Sequence, residues 1–332
     1  MTRTLKALLT SSLLLASSIA AAETIERTIC VFDIAGKVGP TMAAMQDWRT
    51  EALNWGLSAN LKVYTNESVV AEDLKAGVCD AALMTGIRAR QFNTYSGTLD
   101  SIGAIPTMEH MKIALQVLAH PNSADKLTAN SYEVMGLAPI GAAYIFVNDR
   151  RINTLAKAAG KKVAVLDYDP TQAKLVAAAG ATPVPSDITN FAGKFNNGVV
   201  DVIAAPLVAY NVLELYKGLA PDGGIIDYPL VQLSIQLIAK ADRFPEEMAQ
   251  TSREYFYNNL DQVLEQVERE ASVVDEKWWV DIPAKDKQEY EVMMQDARDQ
   301  MRNEGHYDAD MLDLLRKIRC KIDSSRAECT SG

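Results

Sequence analysis

Polar and aromatic residues follow several apolar segments of the chain, at the points where buried strands are predicted to end. These residue types favour recognition, because arginine donates paired hydrogen bonds and tyrosine joins an apolar ring to a hydroxyl group. We predict a cleft that binds a small molecule, with these candidate ligand contacts: Asp33, Lys37, Thr85, Arg88, Arg90, Tyr144, Asp167, Tyr168 and Tyr210. The alternative is that the arginines are solvated loop residues and that each tyrosine packs within its own half of the protein, away from the cleft.

Catalytic motifs are missing from the sequence. It contains no GxSxG, HExxH or GxGxxG motif and no phosphate-binding P-loop. His306, Asp308 and Asp310 offer metal ligands, but a charged helix start explains them better. Asp167 and Asp169 offer a carboxylate pair, yet Asp169 is predicted to cap a helix. We predict no catalytic residue, cofactor or metal, and a hydrolase with an unrecognised site is the alternative.

Strand and helix signals alternate in the first part of the chain. Pro40 suits the first position of a helix, Ser68 suits a helix cap, and Gly77 suits a helix end. The predicted elements are a strand at 28–35, a helix at 40–55, a strand at 61–65, a helix at 69–76 and a strand at 78–84. This βαβαβ order predicts a parallel sheet covered by helices.

The same order recurs later in the chain. The predicted elements are a strand at 162–166, a helix that starts at Pro170 and is capped by Asp169, a strand at 182–184 and a second helix that ends at Gly198. Segments 74–82 and 194–202 are also alike, since each combines a helix end, a glycine and a strand that contains an aspartate. We predict two copies of one α/β unit. Coincidence is the alternative, because helix, glycine and strand often follow one another.

Long charged helices are predicted beyond about Phe244, at 250–271 and 286–303. An apolar stripe at helical spacing runs along the first of them, and we interpret it as packing. The stripe consists of Tyr255, Leu260, Val263, Leu264 and Val267.

Residues 1–22 have the pattern of a secretory signal peptide. Arg3 and Lys6 precede an apolar run at 7–19, and small alanines follow it. No later segment offers the roughly 20 apolar residues that a spanning helix needs. The formal net charge of −10 disfavours nucleic acid as a partner. We therefore predict a soluble periplasmic protein.

Four cysteines in an exported chain favour disulfides over metal binding, because the compartment is oxidising and no CxxC pair is present. We predict that Cys30 pairs with Cys79 and that Cys320 pairs with Cys329. The alternative is that Cys30 and Cys79 are buried free thiols.

Sequence motifs between residues 160 and 215 carry a family resemblance. They are Gly160-Lys161-Lys162-Val163, the segment Ala179 to Pro185, the segment Phe195 to Asp201, and Pro206. Their order resembles that of the extracytoplasmic solute receptors of tripartite ATP-independent periplasmic (TRAP) transporters. Divergent receptors of this kind are sometimes labelled components of resistance-nodulation-division (RND) efflux systems, although an efflux pump itself needs many spanning helices.

The resemblance implies a two-lobed α/β periplasmic-binding-protein fold, in which each lobe is a mostly parallel sheet flanked by helices. The implied divisions are lobe 1 at 23–146, completed by about 232–270, lobe 2 at 147–231, and long C-terminal helices with a tail at 271–332. The implied function is capture of a small molecule between the lobes, for transport or sensing with an inner-membrane partner. The alternative is a non-catalytic envelope adaptor or efflux-associated protein whose cleft is vestigial.

The sequence departs from the TRAP pattern at two positions. TRAP receptors typically carry an arginine that binds a substrate carboxylate at the position of Ala164, and an asparagine at the position of Ala205. Arg88 or Arg90 is predicted to replace the missing arginine.

Overall fold

The computed structural model describes residues 24–329. The predicted signal peptide at 1–22 lies outside the described residues. Among the helices of the described part, none has the length and apolar character needed to cross a membrane.

A mixed sheet of eleven strands forms the centre of the described chain. Its main path runs β2-β1-β3-β10-β5-β8-β6-β7, while β4 and β9 pair with β5, and β11 pairs with β9. The strands are β1 Ile25–Phe32, β2 Leu57–Tyr64, β3 Ala81–Thr85, β4 Thr128–Ala129, β5 Tyr132–Val147, β6 Lys162–Leu166, β7 Thr182–Ser186, β8 Val202–Pro206, β9 Gly224–Ile226, β10 Val231–Lys240 and β11 Trp279–Val280.

Helices cover both faces of this sheet. They are α1 Pro40–Ala52, α2 Glu67–Ala76, α3 Gly86–Ala89, α4 Thr94–Gly97, α5 Met108–Ala119, α6 Ala124–Leu127, α7 Leu155–Ala158, α8 Pro170–Ala178, α9 Phe191–Asn196, α10 Ala209–Val212, α11 Tyr216–Leu219, α12 Glu246–Asn258, α13 Leu260–Ala271, α14 Ala284–Asn303 and α15 Ala309–Ile322.

The repeated α/β unit predicted from the sequence is present. Strand β1 pairs in parallel with β2 and β3, and β6 pairs in parallel with β7 and β8. We call the half built on β1, β2 and β3 the first lobe, and the half built on β6, β7 and β8 the second lobe. The two-lobed α/β fold is therefore confirmed, while the residue boundaries of the lobes stay a prediction.

Equivalent aspartates make the same pair of hydrogen bonds within each of the two units. The Asp80 carboxylate accepts a hydrogen bond from the Thr28 amide at 2.8 Å, and the Asp80 amide donates to the Thr28 carbonyl. Asp201 makes the same pair of bonds with Lys162, at 2.9 Å and 2.8 Å. The two similar sequence segments therefore share a structural role, which coincidence does not explain.

Two antiparallel strands join the lobes. Strand β5 pairs with β10 from Tyr132 to Ala143, and then with β8 from Ala143 to Val147. Strand β10 also pairs with β3 of the first lobe. Sequence analysis did not predict this sixteen-residue strand, because its glycines and its proline interrupt the apolar pattern.

Several predicted boundaries need correction. The helix predicted at 250–271 is two helices, since α12 ends at Asn258 and α13 begins at Leu260. The cap of α2 is Asn66, whose side chain accepts from the Ser68 amide at 2.9 Å, so the predicted cap at Ser68 is wrong. The Asp169 cap of α8 is confirmed. Asp308 caps α15 through the Met311 amide at 2.9 Å, as the predicted charged helix start requires.

Both predicted disulfides are present. Cys30 is bonded to Cys79, and Cys320 to Cys329. The first bond lies in the apolar core of the first lobe, where both cysteines are almost fully buried. The alternative of two buried free thiols is therefore wrong.

The second disulfide holds the C-terminal tail against two buried arginines. Arg319, which is 2% exposed, donates to both carboxylate oxygens of Glu328 at 2.7 and 2.6 Å and to the Ala104 carbonyl at 2.6 Å. Arg298 donates to the neighbouring Ile102 carbonyl at 2.9 Å. Burial alone would raise the pKa of Glu328, but the hydrogen bonds and charge of Arg319 lower it to about 2. Glu328 thus offsets the positive charge that these arginines bring into the interior.

We predict that Glu328→Gln destabilises the protein at pH 7 by about 3 kcal/mol, because the buried guanidinium of Arg319 loses its charged partner. Since the folded-state pKa lies below the unfolded value, the contribution of Glu328 is present above about pH 4.5 and is lost as the pH falls towards 2. In urea unfolding experiments, the difference in unfolding free energy between the wild type and the variant should therefore be smaller at pH 3 than at pH 5. Asp299→Asn, which breaks an exposed pair with Arg302, is the control and should cost less than about 1 kcal/mol. An equal deficit at both pH values would contradict the prediction.

Candidate functional site

A cavity of about 560 Å³ lies between the two lobes. Its walls come from the carboxyl ends of β1 and β6, from the joining strands β5 and β10, and from helices α1, α8, α12 and α13. Most of the lining is hydrocarbon, including Ile34, Leu83, Ile140, Val163, Ile203 and Val267. A volume in this range suits a small organic ligand.

Asp33 and Asp100 line the first-lobe side of this cavity, and each is almost fully buried. The Asp33 carboxylate accepts from the amides of Ala35 at 2.8 Å and Met42 at 2.9 Å, and so caps the turn that leads into α1. A Cβ atom on Gly39 would lie 1.8 Å from Asp33 Oδ1, so only glycine fits beside this carboxylate. Asp33 therefore has a structural role at the cavity wall.

Asp100 is held by Ser234 of the joining strand β10. Its carboxylate accepts from the Ser234 amide at 3.0 Å and from the hydroxyl at 2.6 Å. Burial raises the pKa of Asp100 to about 7, although these hydrogen bonds act in the opposite direction. This carboxylate therefore changes charge near neutral pH.

A buried carboxylate connects the two lobes at one side of the cavity. Glu67 of α2 is 0% exposed and accepts hydrogen bonds from the Thr85 hydroxyl at 2.7 Å and from the Tyr168 hydroxyl of the second lobe. Burial and the charge of Glu67 raise the pKa of Tyr168, so the phenol stays protonated and donates. Glu67 and Tyr168 together form what we call the interlobe latch.

Arginines reinforce this contact between the lobes. The Arg88 guanidinium lies 3.2 Å from the centroid of the Tyr168 ring, and its Nε lies 3.7 Å from the Glu67 carboxylate. Arg90 pairs with Asp169 of the second lobe at 3.4 Å and donates to the Gly97 carbonyl at 3.1 Å. Both arginines therefore contact groups of the protein, although Arg88 Nε and Arg90 Nη2 are buried without a hydrogen-bond partner among the described residues.

The structure places three of the predicted ligand contacts in the cavity lining: Asp33, Thr85 and Tyr168. The others lie outside it: Lys37, Arg88, Arg90, Tyr144, Asp167 and Tyr210. Lys37 and Asp167 are exposed on their turns. The ring of Tyr144 lies 5.2 Å from the ring of Trp279. Successive side chains of a strand point to opposite faces of the sheet, and in β5 it is Ala143 and Ile145 that face the cavity.

Tyr210 packs against Tyr216 at 5.9 Å in the core of the second lobe. Arg88 and Arg90 lie outside the lining beside Tyr168 and Asp169, and their replacement of the family arginine stays a prediction. Ala164 lines the cavity, whereas Ala205 is fully buried behind it. The cavity wall at Ala164 is therefore a methyl group where the family pattern implies a guanidinium.

Helices α12 and α13 contribute cavity residues that the sequence analysis missed. Leu260 and Leu264 lie in the core, and Tyr255 and Val263 pack against it, as the interpretation of this stripe as packing predicts. Tyr255, Val263 and Val267 also line the cavity. Polar residues at helical spacing could have indicated this cavity-lining face in the sequence. They are Asn259, Gln262, Gln266 and Glu270.

Comparison with known proteins identifies the family. The family model described as solute-binding protein AdeT 1/2 matches residues 26–332. This chain belongs to the AdeT 1/2 solute-binding protein family. An Acinetobacter baumannii relative, named Probable solute-binding protein AdeT1, is 44% identical over 299 residues, which is 90% of this chain and 98% of the relative. A second relative from the same organism, Probable solute-binding protein AdeT2, is 29% identical over 70% of this chain and 98% of its own length.

Solved structures confirm the predicted TRAP-type fold for this AdeT 1/2 family member. A TRAP periplasmic solute-binding protein from Desulfovibrio salexigens with bound orotic acid aligns with a TM-score of 0.74 at 16% identity, covering 90% of this chain and 99% of its own. One from Haemophilus influenzae with bound L-gulonate aligns with a TM-score of 0.74 at 11% identity, covering 88% and 99%. At these identities the likeness concerns the fold.

We predict that Tyr168→Phe weakens the interlobe latch. Removing the hydroxyl leaves the buried Glu67 carboxylate with one donor fewer, which should cost about 1–3 kcal/mol of unfolding free energy. We also expect a larger radius of gyration in small-angle X-ray scattering, because the lobes lose a direct contact. Tyr144→Phe is the matched control, since it removes a hydroxyl from a tyrosine outside the latch. If both variants behave alike, the latch does not hold the lobes together.

Proposed function

We propose that this AdeT 1/2 family member captures a small molecule in the cavity between its lobes, without chemical change, and presents it to an inner-membrane transporter or sensor. The observation that carries the proposal is the cavity, because its walls come from both lobes and from the strands that join them. A ligand that contacts both lobes stabilises the closed arrangement, which is the basis of capture by domain closure.

We place this activity in the periplasm. The predicted signal peptide and the two disulfides support an oxidising compartment outside the cytoplasm. The proposed ligand contacts on the lobe faces are Asp33, Thr85 and Tyr168, together with the cavity-facing residues of α12 and α13. The proposed role of Arg88 and Arg90 is to hold the lobes.

The test is a thermal-shift screen of the purified protein against anionic, uncharged and cationic compounds. A ligand at 100 times its Kd stabilises a protein by about 2.7 kcal/mol, which such a screen detects readily. We expect ligands from one chemical class to raise the melting temperature and to reduce the radius of gyration.

A blocking variant ties that binding to the cavity. Ala204 lines the cavity with its side chain exposed to it, so Ala204→Trp should fill the space and weaken binding at least tenfold. Ala177→Trp places the same ring on an exposed position of α8 outside the lining, and should bind as the wild type does. Equal affinity in both variants would exclude the cavity as the site. No stabilisation by any compound would favour an adaptor with an inert cleft.

A further inference from the structure

The charged side chains that line the cavity are nearly all acidic. The acidic members are Asp33, Asp47, Asp100, Asp169 and Glu270. In the part of the chain that the structure describes, Arg269 is the one basic residue of this lining. Its guanidinium donates to Gln266 at 2.8 Å and lies 3.7 Å from Glu265, with 60% of its side chain exposed, so it sits at the rim with partners of its own.

Hydrogen bonds from the protein hold two of the buried carboxylates in place. Asp33 accepts from backbone amides, and Asp169 accepts from the Thr171 amide and hydroxyl and from Arg90. Asp33 is thus fixed at the cavity wall by backbone donors, whereas the Asp169 carboxylate is already paired with Arg90.

Glu270 is a second carboxylate of the inner wall, on the side of Asp33. It is partly buried on α13, and its carboxylate accepts a hydrogen bond from Gln266 at 2.8 Å. Burial raises the pKa of Glu270 and the nearby Asp33 carboxylate raises it further, while the hydrogen bond from Gln266 and the charge of Arg269 act in the opposite direction. Two carboxylates therefore share one region of the cavity, and a positive charge placed there would relieve their repulsion.

The rest of the lining suits a hydrocarbon body. Aliphatic side chains dominate the walls, and the rings of Tyr255, Phe256 and Tyr290 also face the cavity. The faces of aromatic rings attract cations, particularly when water is excluded. At the mouth of the cavity, burial raises the pKa of the Tyr255 phenol, and the nearby Asp47 carboxylate of α1 raises it further.

We propose that the ligand of this site is an apolar cation, an amine or quaternary ammonium compound with a hydrocarbon body. The inference rests on the proposed capture function and concerns the chemistry of the ligand. The body packs on the aliphatic and aromatic walls, and the positive group lies on the side of Asp33 and Glu270. An organic acid would meet like charge there, and the methyl group of Ala164 offers it no counter-ion.

The experiment compares probes that share one body and differ in charge. We would measure the Kd values of 4-phenylbutyltrimethylammonium, 4-phenylbutanol and 5-phenylpentanoate by calorimetry, with a series of alkylamines and tetraalkylammonium ions of six to sixteen carbons. We expect the best cation to bind at least tenfold more tightly than the carboxylate of matched body. Added salt should reduce this ratio only modestly, because Asp33 is buried and Glu270 partly buried, and the exposed Asp47 at the mouth is the carboxylate that salt screens most.

Variants of α13 test the assigned position of the charge. Glu270→Gln should lower the preference for cation over alcohol at least threefold, because the wall loses a negative charge. Glu268→Gln is the matched control, since Glu268 lies on the same helix, is exposed and is outside the cavity lining. We expect the control to keep the preference of the wild type. An equal preference in both variants would overturn the assignment of the charge to Glu270 and Asp33.

The outcomes separate this inference from the proposed function. If the carboxylate binds as tightly as the cation, or if no cation binds although other compounds of the screen do, the ligand class is wrong and capture stands. If no compound of any charge stabilises the protein, the capture function itself fails. Tight binding of the alcohol alone would show that the apolar walls decide recognition, and would overturn the inferred cation.

Discussion

Two antiparallel strands, β5 and β10, carry backbone hydrogen bonds through the middle of the sheet, and each lobe is attached along this pair. Any movement of one lobe relative to the other must therefore bend these strands. The register of the pair shifts at Leu233/Ser234 and again at Leu237/Ile238, and such irregularities allow strands to bend. The cavity lies against this joint, so lobe movement and cavity shape are coupled through the same backbone.

Polar contacts around the cavity divide into two groups. One group connects the lobes: Tyr168 donates to Glu67, Arg88 lies beside both of these residues, and Arg90 pairs with Asp169. The other group consists of the acidic residues of the lining, of which Asp33 and Glu270 lie on one side of a cavity with mostly hydrocarbon walls. The first group holds the lobes in register, and the second sets the chemistry of the space that they enclose.

Local signals predicted the repeated units well. Strand β6 and the Asp169 cap of α8 occur where the sequence predicts them. Apolar strand segments, helix caps and the glycines that end helices are signals that depend on only a few neighbouring residues. The cavity was harder to predict, since α13 reaches it from a part of the sequence far from β1. The directions of side chains could not be predicted either: Tyr144 lies within β5 and Arg88 follows β3, and both contact other protein groups.

The Cys320–Cys329 bond gives the last residues of the chain an influence on its interior. The tail that it closes holds Glu328 on Arg319, and Arg319 together with Arg298 fixes the carbonyls of Ala104 and Ile102, beside the Asp100 wall of the cavity. Without this bond, the tail would be held by noncovalent contacts alone. The oxidation state of two cysteines at the end of the chain therefore bears on how firmly the surroundings of Asp100 are fixed.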